Sequence, residues 1–171
     1  MSAAAPGTVG EIEAYRLQAR LAHQVVRLNA EGIGHEESVR PPGPAGNCLN
    51  WVVGHLVAIY GRALPLLGQE PVLDPEELAR YDRGSEPLAD PAAALPLERL
   101  LAAWDEASRR FDAGLAGLAP EALDRPAPFS PGGDPDETVR SLLATVLFHQ
   151  GYHAGQTGIL RRTSGREGAI R

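Results

Sequence analysis

Residues 138–162, TVRSLLATVLFHQGYHAGQTGILRR, constrain this chain more than any other stretch. Val139, Leu142, Val146, His149, His153, Gln156 and Leu160 follow the alternating three-and-four spacing of the buried stripe of a helix. Two histidines therefore stand where leucines belong. Four residues on a helix are about 6 Å of rise and roughly 40° of rotation, so His149 and His153 leave the same face. Imidazoles buried on a packed face need partners, and the remainder of the chain has to supply them.

Three further segments carry helical periodicity. Thr8 and Glu11 form a Thr-x-x-Glu capping box, which predicts a helix from there to about Ala30. Its polar stripe is Glu13, Arg16, Arg20, Arg27 and Glu31, and His23 falls among the arginines as a solvated surface residue. Glycines and three prolines across residues 32–46 predict a long irregular connection that includes His35. Asn47 then reads as the N-cap of CLNWVVGHLVAIYGRALPLLG, which is apolar around most of its circumference. Cys48, Val52, His55 and Ile59 share one edge of it, and Gly54, Ala58 and Gly61 form a small-residue edge. Asp74-Pro75-Glu76-Glu77 predicts a short helix to about Tyr81, an insert outside the bundle. Leu97, Leu100, Leu101, Trp104, Ser108, Phe111, Leu115 and Leu118 line one face of a third long helix that ends before Pro120. After a Pro- and Gly-rich loop over residues 119–133, Asp134-Pro135-Asp136-Glu137 reads as the start of the fourth.

Four long helices and no strand alternation predict an all-α four-helix bundle, and connections this long allow crossovers between them. The 171 residues are read as one domain, with residues 1–7 and 163–171 as loose tails. A net charge of −6 argues against nucleic acid and against an anionic membrane surface as partners. All 16 basic residues are arginine, which excludes Schiff-base chemistry and the lysine of a phosphate-binding loop. One cysteine, an N-terminus without a basic and apolar leader, and no apolar run of about 20 residues make a cytoplasmic protein the expectation.

His55 is the third histidine in apolar helical surroundings, 94 positions before His149 (149 − 55). A lone helical His-x-x-x-His also arises from hydrogen-bonded core or surface residues, but in a bundle three histidines can converge. Three neutral imidazoles suit zinc, nickel, copper or iron and leave a position open for water or substrate. Gln156, one turn beyond His153, is a candidate for orienting substrate, with a hydrogen bond at the edge of the core as its other reading. Cys48 lies about 10.5 Å along the axis from His55, too far to share that metal, and reads as a small buried hydrophobe. No carboxylate falls on the histidine stripes, so the sequence names no general base.

Asn50-Trp51-Val52-Val53-Gly54-His55-Leu56 and LLATVLFHQGYHAGQ at residues 142–156 resemble the DinB-like (DinB/YfiT) superfamily, and LAPEALDRPAP at 118–128 is similar to the loop before that family's last helix. The resemblance implies a four-helix bundle with crossover topology, homodimers, and a divalent metal, nickel or zinc, on His55, His149 and His153. It further implies a transferase or isomerase that uses a low-molecular-weight thiol such as bacillithiol or mycothiol, or a related hydrolase. The competing expectation is a non-catalytic, stress-related dimeric protein that binds a metal or ligand. A second apolar edge of the last helix, Ala144, Phe148, Gly151, Gly155 and Ile159, is the expected dimer contact, pairing with the Gly54–Gly61 edge.

Overall fold

The computed structural model describes residues 10–43 and 46–170. The expected tail at 1–7 and the Thr8 capping residue lie outside the described residues. Among these residues six α-helices form: α1 (Glu11–Ala30), α2 (His35–Ser38), α3 (Leu49–Ala63), α4 (Pro75–Leu78), α5 (Leu97–Ala116) and α6 (Val139–Thr163), with short 3-10 turns between them. The described residues form no strand; an isolated antiparallel bridge joins Pro126 and Thr138. No helix among them is long and apolar enough to cross a membrane.

The four long helices make a square. Helix α1 packs against α5 and α6, and α3 packs against the same two, so α1 stands diagonally from α3 and α5 from α6. Two of the three connections between successive long helices therefore cross the bundle rather than turn back on a neighbour. Here lies the physical reason for the long Pro- and Gly-rich segments: a diagonal step cannot be made by a tight helical hairpin. Trp104, Tyr60, Phe111, Leu100 and Leu142 fill the centre, and Tyr60 stacks on Phe111 with ring centroids 4.5 Å apart. Inside this apolar core a few polar pairs fix the register of the helices. Tyr60 Oη donates to Gln150 Oε1 at 2.8 Å, Gln150 Nε2 donates to the Ala19 carbonyl at 3.1 Å, and Asn29 Nδ2 donates to Thr157 Oγ1 at 2.9 Å.

Helix starts differ from the sequence expectations for identifiable reasons. Gly10, in extended conformation, is the N-cap of α1. Cys48 rather than Asn47 caps α3, its Sγ accepting from Trp51 N at 3.5 Å. The regular part of α3 stops at Ala63 because Pro65 forces the last turn into a 3-10 form that closes on Gly68, φ +67°. Helix α6 begins at Val139, not at Asp134-Pro135: residues 125–127 pair with 137–139, Ala127 N donating to the Glu137 carbonyl and Val139 N to the Arg125 carbonyl. That pairing keeps Glu137 and Thr138 out of the helix, and Thr138 caps it in a reciprocal box with Ser141.

The bland histidines also have definite places. His23 is half-buried rather than solvated, its Nε2 2.8 Å from Asp105 Oδ1. His35 opens α2 and ties two loops together, with Nε2 3.0 Å from the Pro91 carbonyl and Nδ1 accepting from Leu97 N at 3.3 Å. After α6, Arg166 forks onto both carboxylate oxygens of Glu37 at 2.7 and 2.8 Å, which ties residues 164–170 back to α2.

Candidate functional site

His55 from the middle of α3 meets His149 and His153 from α6 across one side of the square. The Nε2 atoms converge: that of His149 lies 3.1 Å from that of His55 and 3.1 Å from that of His153. Ligands held tetrahedrally at 2.0–2.1 Å are separated by about 3.3 Å, so both 3.1 Å separations match donors around one small cation, and ligand atoms of all three histidines lie within 4.8 Å of one another.

The opposite ring nitrogens decide which atoms carry protons. His55 Nδ1 is 2.7 Å from the Tyr81 carbonyl, which can only accept, so Nδ1 carries the proton and Nε2 presents a lone pair. His153 Nδ1 is 2.7 Å from Gln156 Oε1, which sets the same tautomer. His149 Nδ1 is buried and finds no partner among the described residues. At most one proton, on His149 Nε2, is then available to the two 3.1 Å contacts. Hydrogen bonding alone serves both contacts only by splitting that one proton between them.

Electrostatics keep the cluster neutral. Burial lowers the pKa of all three rings. His149 falls furthest, to about 4, chiefly through burial and then through the charges its neighbours His153 and His55 would carry. Neutral imidazole is the metal-binding form, so the donor set is in its ligating state at neutral pH.

The insert after α4 turns out to belong to the site. Tyr81 is fully buried; its hydroxyl donates to Asn50 Oδ1 at 3.0 Å and accepts from Leu95 N at 2.9 Å, while Asn50 Nδ2 donates to the Leu95 carbonyl. Locked in this way, the residue turns its own carbonyl toward His55. Its ring lies over Gly54, where an added Cβ would come within 2.4 Å of the ring, and Pro71 flanks Gly61. The Gly54 end of the small-residue edge of α3 is therefore covered within the chain by the insert, while Gly61 stays half-buried. Trp51 stacks on His55 with 4.7 Å between centroids and 12° between planes, and its Nε1 donates to Ser85 Oγ at 3.0 Å.

A cavity of about 640 Å³ opens over the three histidines, with Trp51, Phe129, Tyr152, Arg62 and Gln156 among its walls. Gln156 thus touches both His153 and the cavity. Cys48 is buried, with its thiol pKa pushed up by burial, and stands outside the cluster. Tyr60 and Trp104 lie in the core, and neither they nor the half-buried Ser108 line the cavity. The positioning groups that sequence reasoning missed are Trp51 and the Tyr81 carbonyl. Trp51 stands one turn before His55, a spacing visible in the sequence; a backbone carbonyl 26 residues away leaves no sequence signal.

A family model of the DinB superfamily matches residues 17–157. The chain belongs to the DinB superfamily. In fold it is similar to a conserved protein from Enterococcus faecalis, with a TM-score of 0.71 over 91% of this chain and 98% of that one at 15% identity. No curated protein matches the chain. DinB membership together with the three-histidine group fits a metal-binding protein.

Proposed function

We propose that the protein is a divalent-metal-dependent enzyme, a thiol-dependent S-transferase of the bacillithiol or mycothiol type or a related hydrolase, in which His55, His149 and His153 hold nickel or zinc. The observation that carries this reading is the convergence of three Nε2 atoms whose outer nitrogens, at His55 and His153, are already committed to a carbonyl and an amide. When bound, the cation supplies Lewis-acid activation of a thiol or a water. The chain's own residues do the remainder: the Tyr81 carbonyl and Gln156 hold two rings in the ligating tautomer, Trp51 fixes the plane of His55, and the cavity walls exclude bulk water. Gln156 also faces the cavity and orients substrate there. The reading takes residues 1–171 as one domain and a cytoplasmic setting, supported by Cys48 as a buried free thiol.

A second reading, a non-catalytic dimeric protein that binds a metal or ligand under stress, draws support from two features. Among the described residues no carboxylate lines the cavity to act as general base. Phe148, Tyr152 and Ile159 of α6 are 76%, 58% and 60% exposed, an apolar edge suited to a second copy of the chain in either reading.

Metal analysis of untagged wild type and of His55→Ala, His149→Ala and His153→Ala tests the site. About one metal per chain is expected in wild type and a large loss in each variant; equal content in all four overturns it. Turnover of a model electrophile with several small thiols separates the two functions, and no metal-dependent rate with any of them favours the binder.

A further inference from the structure

The cavity over the histidines is charged in a way that the chain as a whole is not. Acidic residues outnumber basic ones 22 to 16 in the sequence, yet among the described residues the cavity is lined by two arginines, Arg62 and Arg83, and by no aspartate or glutamate. The two arginines differ. Arg62 is neutralised by a salt bridge to Asp82. Arg83 is exposed at the turn that Gly84, φ +82°, reverses, and makes no ion pair or hydrogen bond among the described residues. One guanidinium at the cavity therefore keeps its whole charge and all five donors. The wall it shares is apolar and aromatic: Trp51, Ile59, Phe129 and Tyr152.

We propose that this cavity takes a small organic monoanion, an apolar or aromatic body bearing one carboxylate, with Arg83 as the residue that binds the carboxylate. A single uncompensated guanidinium matches one carboxylate in fork geometry. The aromatic walls hold the body of the ligand and direct its other end toward the three histidines. Arg83 thereby selects among substrates by charge before any chemistry occurs. The inference rests on this cavity being the substrate site of the function proposed above, and its test is made without metal so that the two can fail separately.

The probe is 3-phenylpropionate, compared with its neutral amide, titrated into the full chain stripped of metal by chelation. Trp51, which lines the cavity, reports binding by fluorescence; the other tryptophan, Trp104, is fully buried. The carboxylate is expected to bind about tenfold more tightly than the amide. Arg83→Gln should erase that preference and Arg83→Lys retain part of it. Arg80→Gln, which removes an exposed charge three residues away and outside the cavity lining, should leave it intact. Circular dichroism checks that each variant is folded. Equal affinity for the two probes, no saturable response to the carboxylate, or a preference that survives Arg83→Gln overturns the inference. Carboxylate selectivity in a protein that takes up no metal would leave it standing and sink the metal reading.

Discussion

At the scale of single residues, the site depends on what lies behind each imidazole. Gln156 illustrates the point, because the sequence puts it on the histidine face without saying which neighbour it serves. Its Oε1 is 2.7 Å from His153 Nδ1, the position from which an outer group fixes a ligand's tautomer and raises its basicity. Gln156→Ala is expected to weaken metal binding about 10-fold or more, read by competition with a chromogenic chelator. Gln156→Glu, which keeps an acceptor there, should recover most of the loss. If affinity is unchanged in both variants, Gln156 serves substrate alone. His149 is the contrasting case, since its outer nitrogen is buried and finds no partner among the described residues.

At the scale of elements, two contacts set how the helices present the site. The sequence reads the short helix from Asp74 to about Tyr81 as an insert outside the bundle, and nothing in its local pattern ties it to the long helices. Packing brings it in, because Gly54 leaves a gap in α3 that the flat ring of Tyr81 fills. Gly54→Ala would set a methyl group 2.4–2.6 Å from three ring carbons of Tyr81, backed by its fixed hydrogen bonds. An overpacking cost of about 1–3 kcal/mol in urea denaturation is expected, together with weaker metal binding as the Tyr81 carbonyl shifts from His55. Stability lost with metal affinity unchanged would separate the ring from the site.

The other contact is electrostatic. Asp112 of α5 accepts from Arg16 Nε and Nη2 and from Arg20 Nη1 of α1, and the Arg16 hydrogen bonds are the main reason its carboxyl stays below the usual range. An unfolded aspartate titrates at about 3.9, so on acidification the unfolded chain takes up this proton first. The contribution of the group is full above that value and is lost as pH falls through the lower folded value. Denaturation midpoints should therefore drop in acid, and Asp112→Asn should be less stable near neutrality yet show a shallower acid limb.

At the scale of the whole molecule, the two faces of α6 are divided between the cavity and the outside. Its inner stripe is buried or half-buried as its spacing predicts, while Phe148 and Ile159 stand exposed and Gly151 and Gly155 have open space above them. Tyr81 occupies the Gly54 end of the small-residue edge of α3, so the dimer proposed here pairs α6 with its counterpart in a second copy, an isologous contact. Light scattering at micromolar concentration should give a dimer for wild type and a monomer for Phe148→Glu. A monomeric wild type sinks the pairing.

Periodicity, capping residues and the runs of proline and glycine were enough to determine from sequence the four long helices, their inward faces and the three histidines, because these properties are local: each is written within a turn or two of helix. The resemblance in the two histidine segments added the family. Tertiary structure alone decided the rest. Which helices stand diagonally depends on how four apolar stripes close together, and the start of α6 depends on a pairing with residues 125–127. The Tyr81 carbonyl at His55 and the unpaired Arg83 at the cavity are set by where a connection lands, which no periodic pattern encodes.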